Sequence, residues 1–157
     1  MGMSDNFGHA FAKAQLACGY QLPVRGAVFI SVNRFDKETV IPIARGLHEL
    51  GLGILATRGT AEVLRGAGIP AEQIFKVNEG RPNVVDYLKN RKIDLVISTP
   101  LGRASFYDEA SIRRTALQLG VTCITTLSGA TAAVSGIRAL QRAALSVKSL
   151  QEYALSP

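Results

Sequence analysis

The stretch Gly53-Ile54-Leu55-Ala56-Thr57-Arg58-Gly59-Thr60-Ala61-Glu62-Val63-Leu64-Arg65 decides how the chain is read. Its first four residues form an apolar run of strand length, and Ala61 to Arg65 carries apolar positions at helical spacing. A strand that turns through Thr-x-x-Thr into a helix presents free backbone N–H groups, hydroxyls and the positive end of a helix dipole. A phosphate fits such a place. The plainer reading is that Thr60 caps the helix and Gly59 eases the turn. The choice depends on whether other segments bring further anion-binding groups to the same turn.

Working outward, the same strand–turn–helix rhythm repeats. Residues 26–32 (Gly-Ala-Val-Phe-Ile-Ser-Val) are a continuous apolar run suited to a sheet covered on both faces. A helix capped near Asp36 follows, with Val40, Ile43, Ala44, Leu47 and Leu50 as its buried stripe and Gly51 as its stop. Residues 74–77, 93–99 and 121–124 read as three more strands. Helices are predicted over 83–89, with Pro82 at the start, over 108–119, and from 130 to about 144, with a further segment over 147–153. Residues 100–103 break the chain after the fourth strand. Five strands alternating with helices over short loops imply a three-layer α/β/α domain with a parallel sheet. Ahead of it, residues 9–18 read as a short helix followed by an irregular linker. Phe11 and Leu16 need a partner: the helix is domain-swapped, folded back, or docked on something else.

Bulk composition narrows the function. With 157 residues, 47% apolar and 19% charged, the chain is the size of one domain with a real core. No apolar run approaches the roughly 20 residues of a membrane span, and no secretory leader pattern opens the chain, so a cytoplasmic protein is expected. Cys18 and Cys123 lie far apart and are expected to be reduced, buried thiols. A net charge of +6 raises nucleic-acid binding. The basic residues are scattered, however, and are not interleaved with aromatics as in a stacking platform. A pocket for a small anion uses such charge equally well and is the preferred reading.

In parallel sheets ligands bind beyond the carboxyl ends of the strands. Those ends are Ser31 to Lys37, Thr57 to Thr60, Lys76 to Arg81, Ser98 to Arg103 and Thr125 to Gly129. The set is rich in hydroxyls, amides and cations and holds no histidine, since His9 and His48 lie elsewhere. It is stocked to bind a phosphate and poorly stocked for acid/base catalysis. No Walker A sequence, dinucleotide fingerprint or nucleophile elbow occurs, and Asp36, Asp94 and Asp108 have no His or Cys partners at metal-ligand spacing. Lys37 and Lys76, on the same rim as Thr57 and Thr60, make the phosphate pocket the better reading of the opening turn.

Several segments then match a known family in order. They are residues 9–16 (His-Ala-Phe-Ala-Lys-Ala-Gln-Leu), Ser31-Val32 with Asp36-Lys37, and residues 56–61 (Ala-Thr-Arg-Gly-Thr-Ala). Lys76-Val77 with residues 79–82, Ile112-Arg113-Arg114 with residues 116–118, and residues 125–127 follow. Together they resemble the C-terminal regulatory domain of the large subunit of carbamoyl phosphate synthetase, a methylglyoxal synthase-like domain, from about Gly8 onward.

The resemblance implies strand order 3-2-1-4-5 and a regulatory role without catalytic residues. It implies residues 1–25 as a lead-in and linker helix from a preceding ATP-grasp half, and 26–157 as the domain. The implied effector is UMP or an IMP-like nucleotide, its phosphate held by Lys37, Thr57, Thr60 and Lys76 and its ribose and base by Ser31, Val77, Ser98, Thr99 and Pro100. No cofactor is implied in this domain; the parent enzyme uses ATP with Mg or Mn, and K, for pyrimidine and arginine synthesis. Implied partners are the rest of the large subunit and the glutaminase small subunit, with self-association as a further expectation and neither nucleic acid nor membrane. The family's well-studied form carries Tyr-Asp, which helps hold ornithine, where this chain has Cys123-Ile124. The alternative on the same scaffold is methylglyoxal synthase, which needs a Gly-Gly-Asp after the fourth strand and a histidine after the fifth. Residues 101–104 and Thr125-Thr126 stand there instead.

Overall fold

The structure, a computed structural model, describes residues 1–99 and 106–154. Its elements are α1 (Phe7–Ala17), β1 (Ala27–Ser31), α2 (Lys37–Glu49), β2 (Gly53–Ala56), α3 (Arg58–Gly66) and β3 (Glu72–Gln73). There follow α4 (Val84–Lys89), β4 (Leu95–Ser98), α5 (Phe106–Gln118), β5 (Thr122–Ile124), α6 (Leu127–Arg142) and α7 (Leu150–Ala154). All strand pairings are parallel, and the order is β3-β2-β1-β4-β5.

The alternation of side chains along each strand divides the core in two. Val28, Ile30, Ile54, Ala56, Leu95 and Ile97 face one way, into a cluster completed by α2, α3 and α6. Phe29, Leu55 and Val96 face the other way, against Val84 and Leu88 of α4 and Ile112 and Ala116 of α5. Helices on both faces explain why β1 and β4 read as unbroken apolar runs rather than alternating ones.

Of the three fates open to the first helix, folding back is the one observed. α1 lies against α6, with Ala12 buried in the first core cluster. A Cβ on Gly8 would sit 2.3 Å from the Ser135 carbonyl oxygen, so that glycine permits the close approach. Gly51, at φ +83°, ends α2 as expected.

Three readings are corrected. The third strand lies at 72–73 rather than 74–77. The ladder ends where the Ile74 amide donates to the Ala56 carbonyl (2.9 Å), and a turn closed by Glu79 N to Lys76 O (3.2 Å) then leads the chain away. α4 begins one residue later than the expected 83–89, at Val84, and Pro82 lies outside it. Asn83 is its cap, accepting from the Val85 and Asp86 amides while the Asp86 carboxylate accepts from Asn83 N, a capping box that fixes the first turn. Cys18 is exposed and Cys123 half-buried, both as free thiols, so only part of the expected burial is seen. Among the described residues no helix is long and apolar enough to cross a membrane, and no group of His, Cys, Asp and Glu is arranged to hold a metal ion.

Candidate anion-binding site

Beyond the carboxyl ends of β1 and β2 lies a pocket of about 520 Å³, lined by Lys37, Thr57, Gly59, Thr60, Lys76 and their neighbours. All four residues assigned to a phosphate therefore line one cavity. Each arrives on a different part of the fold: Lys37 opens α2, Thr57 and Thr60 flank the start of α3, and Lys76 follows β3.

At the α3 terminus Thr57 is the N-cap residue by backbone geometry, yet its hydroxyl makes no cap hydrogen bond. The Thr57 carbonyl instead accepts from the amides of Thr60 (2.9 Å) and Ala61 (2.8 Å), so the helix makes no use of the Arg58 and Gly59 N–H groups. The Thr57 hydroxyl donates to the Thr60 hydroxyl at 3.3 Å. Two hydroxyls carry two protons, and their mutual bond uses one. Thr57 is 5% exposed and Thr60 1%, and no other acceptor for these hydroxyls occurs among the described residues. The remaining O–H is thus a desolvated donor in the pocket wall, where a hydrogen bond to an anion is strengthened.

Charge converges on the same space. A Cβ on Gly59 would fall 2.8 Å from Lys37 Nζ, which places that ammonium directly over the first turn of α3. Lys76, Arg34 and Arg58 add three more cationic residues to the lining, against the carboxylates of Glu62 and Glu79. Glu62 is engaged with Arg58 at 3.6 Å, and Glu79 accepts from the Lys76 amide at 3.0 Å. The balance is positive, and the α3 dipole adds to it. Arg34 and Arg58 had no assigned role in the sequence reading, because one arginine in a polar loop carries no signal that separates it from solvated charge.

Of the residues assigned to ribose and base, the described ones, Ser31, Val77, Ser98 and Thr99, are not part of this lining. Ser31 and Ser98 are register partners at the ends of β1 and β4, both buried. The Thr99 amide donates to the Ser31 carbonyl (3.1 Å), and Thr99 Oγ1 accepts from Asn33 N (3.2 Å) and Asn33 Nδ2 (3.3 Å). Val77 packs, partly buried, against the second core cluster, and its carbonyl accepts from Asn83 Nδ2. Pro100, and the chain break read over 100–103, lie outside the described residues.

A larger hollow, about 610 Å³, lies at the amino-terminal ends of the strands, with Arg25, Arg91 and Asp94 among apolar walls. The Asp94 carboxylate there is committed to the Ala27 amide at 2.9 Å. The chemistry of the strand carboxyl ends, not volume, singles out the smaller pocket.

Comparison with known proteins agrees with this architecture. The MGS-like domain family matches residues 39–125, from α2 through β5. The chain belongs to the MGS-like domain family. This MGS-like domain is similar over 96% of its length to the carbamoyl phosphate synthase large chain of Acidobacterium capsulatum, at 52% identity. It is also similar over 97% of its length to the C-terminal section of that large chain from Methanopyrus kandleri, at 45% identity. The chain spans 14% of the first relative's length and 28% of the second's. Among solved structures, methylglyoxal synthase from Elizabethkingia anophelis superposes with a TM-score of 0.57 at 14% identity, covering 87% of this chain and 94% of that one. That likeness is one of fold.

Proposed function

We propose that this MGS-like domain is the effector-binding regulatory domain of a carbamoyl phosphate synthase large chain. Its effector is a nucleoside monophosphate, UMP or an IMP-like nucleotide, with the phosphate seated in the pocket at the start of α3. One observation carries the reading: Lys37 at the start of α2, Lys76 after β3, two buried threonines and the free α3 amides line one cavity. A phosphate dianion meets two ammonium groups and short neutral donors there, a combination consistent with micromolar binding, on the order of −8 kcal/mol. In this account residues 1–25 lead in from the preceding half of the large chain, and the other partners are the remainder of that chain and its glutaminase subunit. The domain works in the cytoplasm and needs no cofactor or metal of its own.

A phosphate-eliminating lyase on the same fold is disfavoured by the pocket chemistry. That reaction needs a free carboxylate base and a histidine electrophile beside the phosphate. The described lining holds no histidine, and both its carboxylates are engaged. His9 instead lies against the carbonyls of Ala139, in α6, and Ala143, its C-cap, at 3.1 and 3.2 Å.

Titration calorimetry of the chain with UMP, IMP and inorganic phosphate tests the proposal. Lys76→Ala and Thr60→Ala are expected to weaken UMP by about tenfold or more, while Arg91→Ala, outside the pocket, leaves it unchanged. No binding of any of the three ligands at millimolar concentration would refute the reading, and equal effects of all three variants would place the phosphate elsewhere.

A further inference from the structure

The anion pocket has more room and more basic residues than one phosphate group uses. Its volume, about 520 Å³, is in the range that holds a whole small-molecule ligand, and its lining carries Arg34, Lys37, Arg58 and Lys76. Size alone would therefore admit a second phosphoryl group, and the basic residues could hold one. Two carboxylates in the same wall, Glu62 and Glu79, work against it. An ionised carboxylate only accepts hydrogen bonds and repels negative charge, so neither helps to hold an anion.

The two acids are not equivalent. Glu62 pairs with Arg58 at 3.6 Å across solvent-exposed side chains, so the two charges largely cancel and are screened. Glu79 is tied to the backbone beside Lys76. Its Oε2 accepts from the Lys76 amide at 3.0 Å, and its own amide donates to the Lys76 carbonyl at 3.2 Å. This closed turn keeps the carboxylate in the lining. With Arg58 and Glu62 paired, three basic residues stand against Glu79 and leave a formal balance of two positive charges. A phosphate monoester dianion neutralises that balance.

Strand order gives the direction in which a longer ligand would grow. The sheet runs β3-β2-β1-β4-β5. Ser31, Ser98 and Thr99, assigned to ribose and base, lie at the ends of β1 and β4, whereas Thr57 and Thr60 follow β2 and Lys76 and Glu79 follow β3. A phosphate at the start of α3 thus has its nucleoside on the β4 side. A second phosphoryl group, attached opposite the ribose, points towards β3 and Glu79.

We propose that Glu79 is a specificity-determining residue that restricts the pocket to monophosphates by fixing a negative charge where the next phosphoryl group would lie. The proposal rests on the phosphate reading above and adds the residue that rejects longer ligands. A nucleoside diphosphate carries the same base, ribose and first phosphate, so an unfavourable element is needed to separate it from the monophosphate.

Calorimetry of UMP and UDP with the wild type and Glu79→Gln tests this. Glutamine keeps a carbonyl to accept from the Lys76 amide, so the turn stays and only the charge goes. The wild type should bind UMP about tenfold more tightly than UDP, and in Glu79→Gln the gap should close to about threefold or less through tighter UDP binding. Glu49→Gln, at the far end of α2 from Lys37, should leave the gap as it is. If the wild type binds UDP as tightly as UMP, if Glu79→Gln keeps the wild-type ratio, or if Glu49→Gln shifts it equally, the filter is refuted and a pocket that binds UMP stands. Loss of both nucleotides in Glu79→Gln would make the residue a brace for Lys76 and likewise refute the filter. If the wild type binds neither nucleotide at millimolar concentration, the phosphate reading falls, and the filter with it.

Discussion

Gly59→Ala separates stability from anion binding. Gly59 lies in the first turn of α3, where alanine is the better helix former, and its backbone is not among the residues with positive φ. The added methyl carbon would meet Lys37 Nζ at 2.8 Å and the Lys37 Cε at 3.8 Å, and no other atom within contact distance. The closer contact is shorter than real Cβ atoms make, but its partner is the end of a flexible side chain. The ammonium withdraws and the backbone stays. Stability should therefore rise by about 0.5–1 kcal/mol, equivalent to about 1–3 °C in Tm for a domain of this size. Binding should move the opposite way. The ammonium is pushed off the helix terminus where the phosphate sits, and losing one charge-assisted hydrogen bond costs about 1.5 kcal/mol, about tenfold in Kd for UMP. Thermal unfolding followed by circular dichroism and calorimetry with UMP read the two effects independently. A fall in Tm would show that the glycine is required by the backbone. An unchanged UMP affinity would show that Lys37 does not serve the ligand from above Gly59.

Other variants test the frame around the site. Gly8→Ala puts a Cβ against the Ser135 carbonyl oxygen (2.3 Å) and the Ala139 methyl (2.8 Å), both rigid, so α1 is forced off α6. A loss of about 1–3 kcal/mol is expected in urea unfolding, and no loss would mean that α1 adds nothing to the domain. Tyr87 donates to Glu72 Oε1 at 3.0 Å, and that hydrogen bond, with lesser help from desolvation and the carboxylate's charge, raises the phenol's pKa above 10.0. The raised group favours the folded state below pH 10, and that contribution is lost as pH climbs through the folded-state value. An ultraviolet titration should show a late phenolate that Glu72→Gln restores to the normal range; a normal wild-type curve would contradict the bond. Burial raises the Cys123 thiol pKa against a smaller lowering by Arg113, while Cys18 is exposed. A thiol reagent near neutral pH should therefore label Cys18 well before Cys123, and equal rates would contradict the packing of β5.

The parts of the molecule most legible in the sequence are those set by long patterns. The unbroken apolar runs of β1 and β4 betrayed a sheet covered on both faces, and the stripe from Val40 to Leu47 gave α2 its length. The strand order was not a matter of periodicity; it came with the family resemblance. Short elements at the sheet edge were harder. β3 is two exposed residues, Glu72 and Gln73, whose pairing with β2 is a backbone property without an apolar signal, while the apolar Ile74 beside it is buried in the core just past the ladder. At the start of α4 a proline's preference for the first turn competes with the Asn83–Asp86 capping box, and the capping box sets the boundary. Within the site, hydroxyls and lysines at strand ends were readable because topology brings those ends together. The place of Arg34 in the lining depends on the shape of one loop, and nothing in its spacing distinguishes it from an ordinary surface residue.

The most direct test of the phosphate pocket is a crystal structure of the chain grown with UMP. Phosphate oxygens are expected at hydrogen-bond distance, about 2.7–3.2 Å, from Lys37 Nζ, Lys76 Nζ, a threonine hydroxyl of the Thr57–Thr60 pair and the amides of Arg58 and Gly59. A phosphate bound instead in the hollow beside Arg25 and Arg91, at the opposite ends of the strands, would contradict this placement.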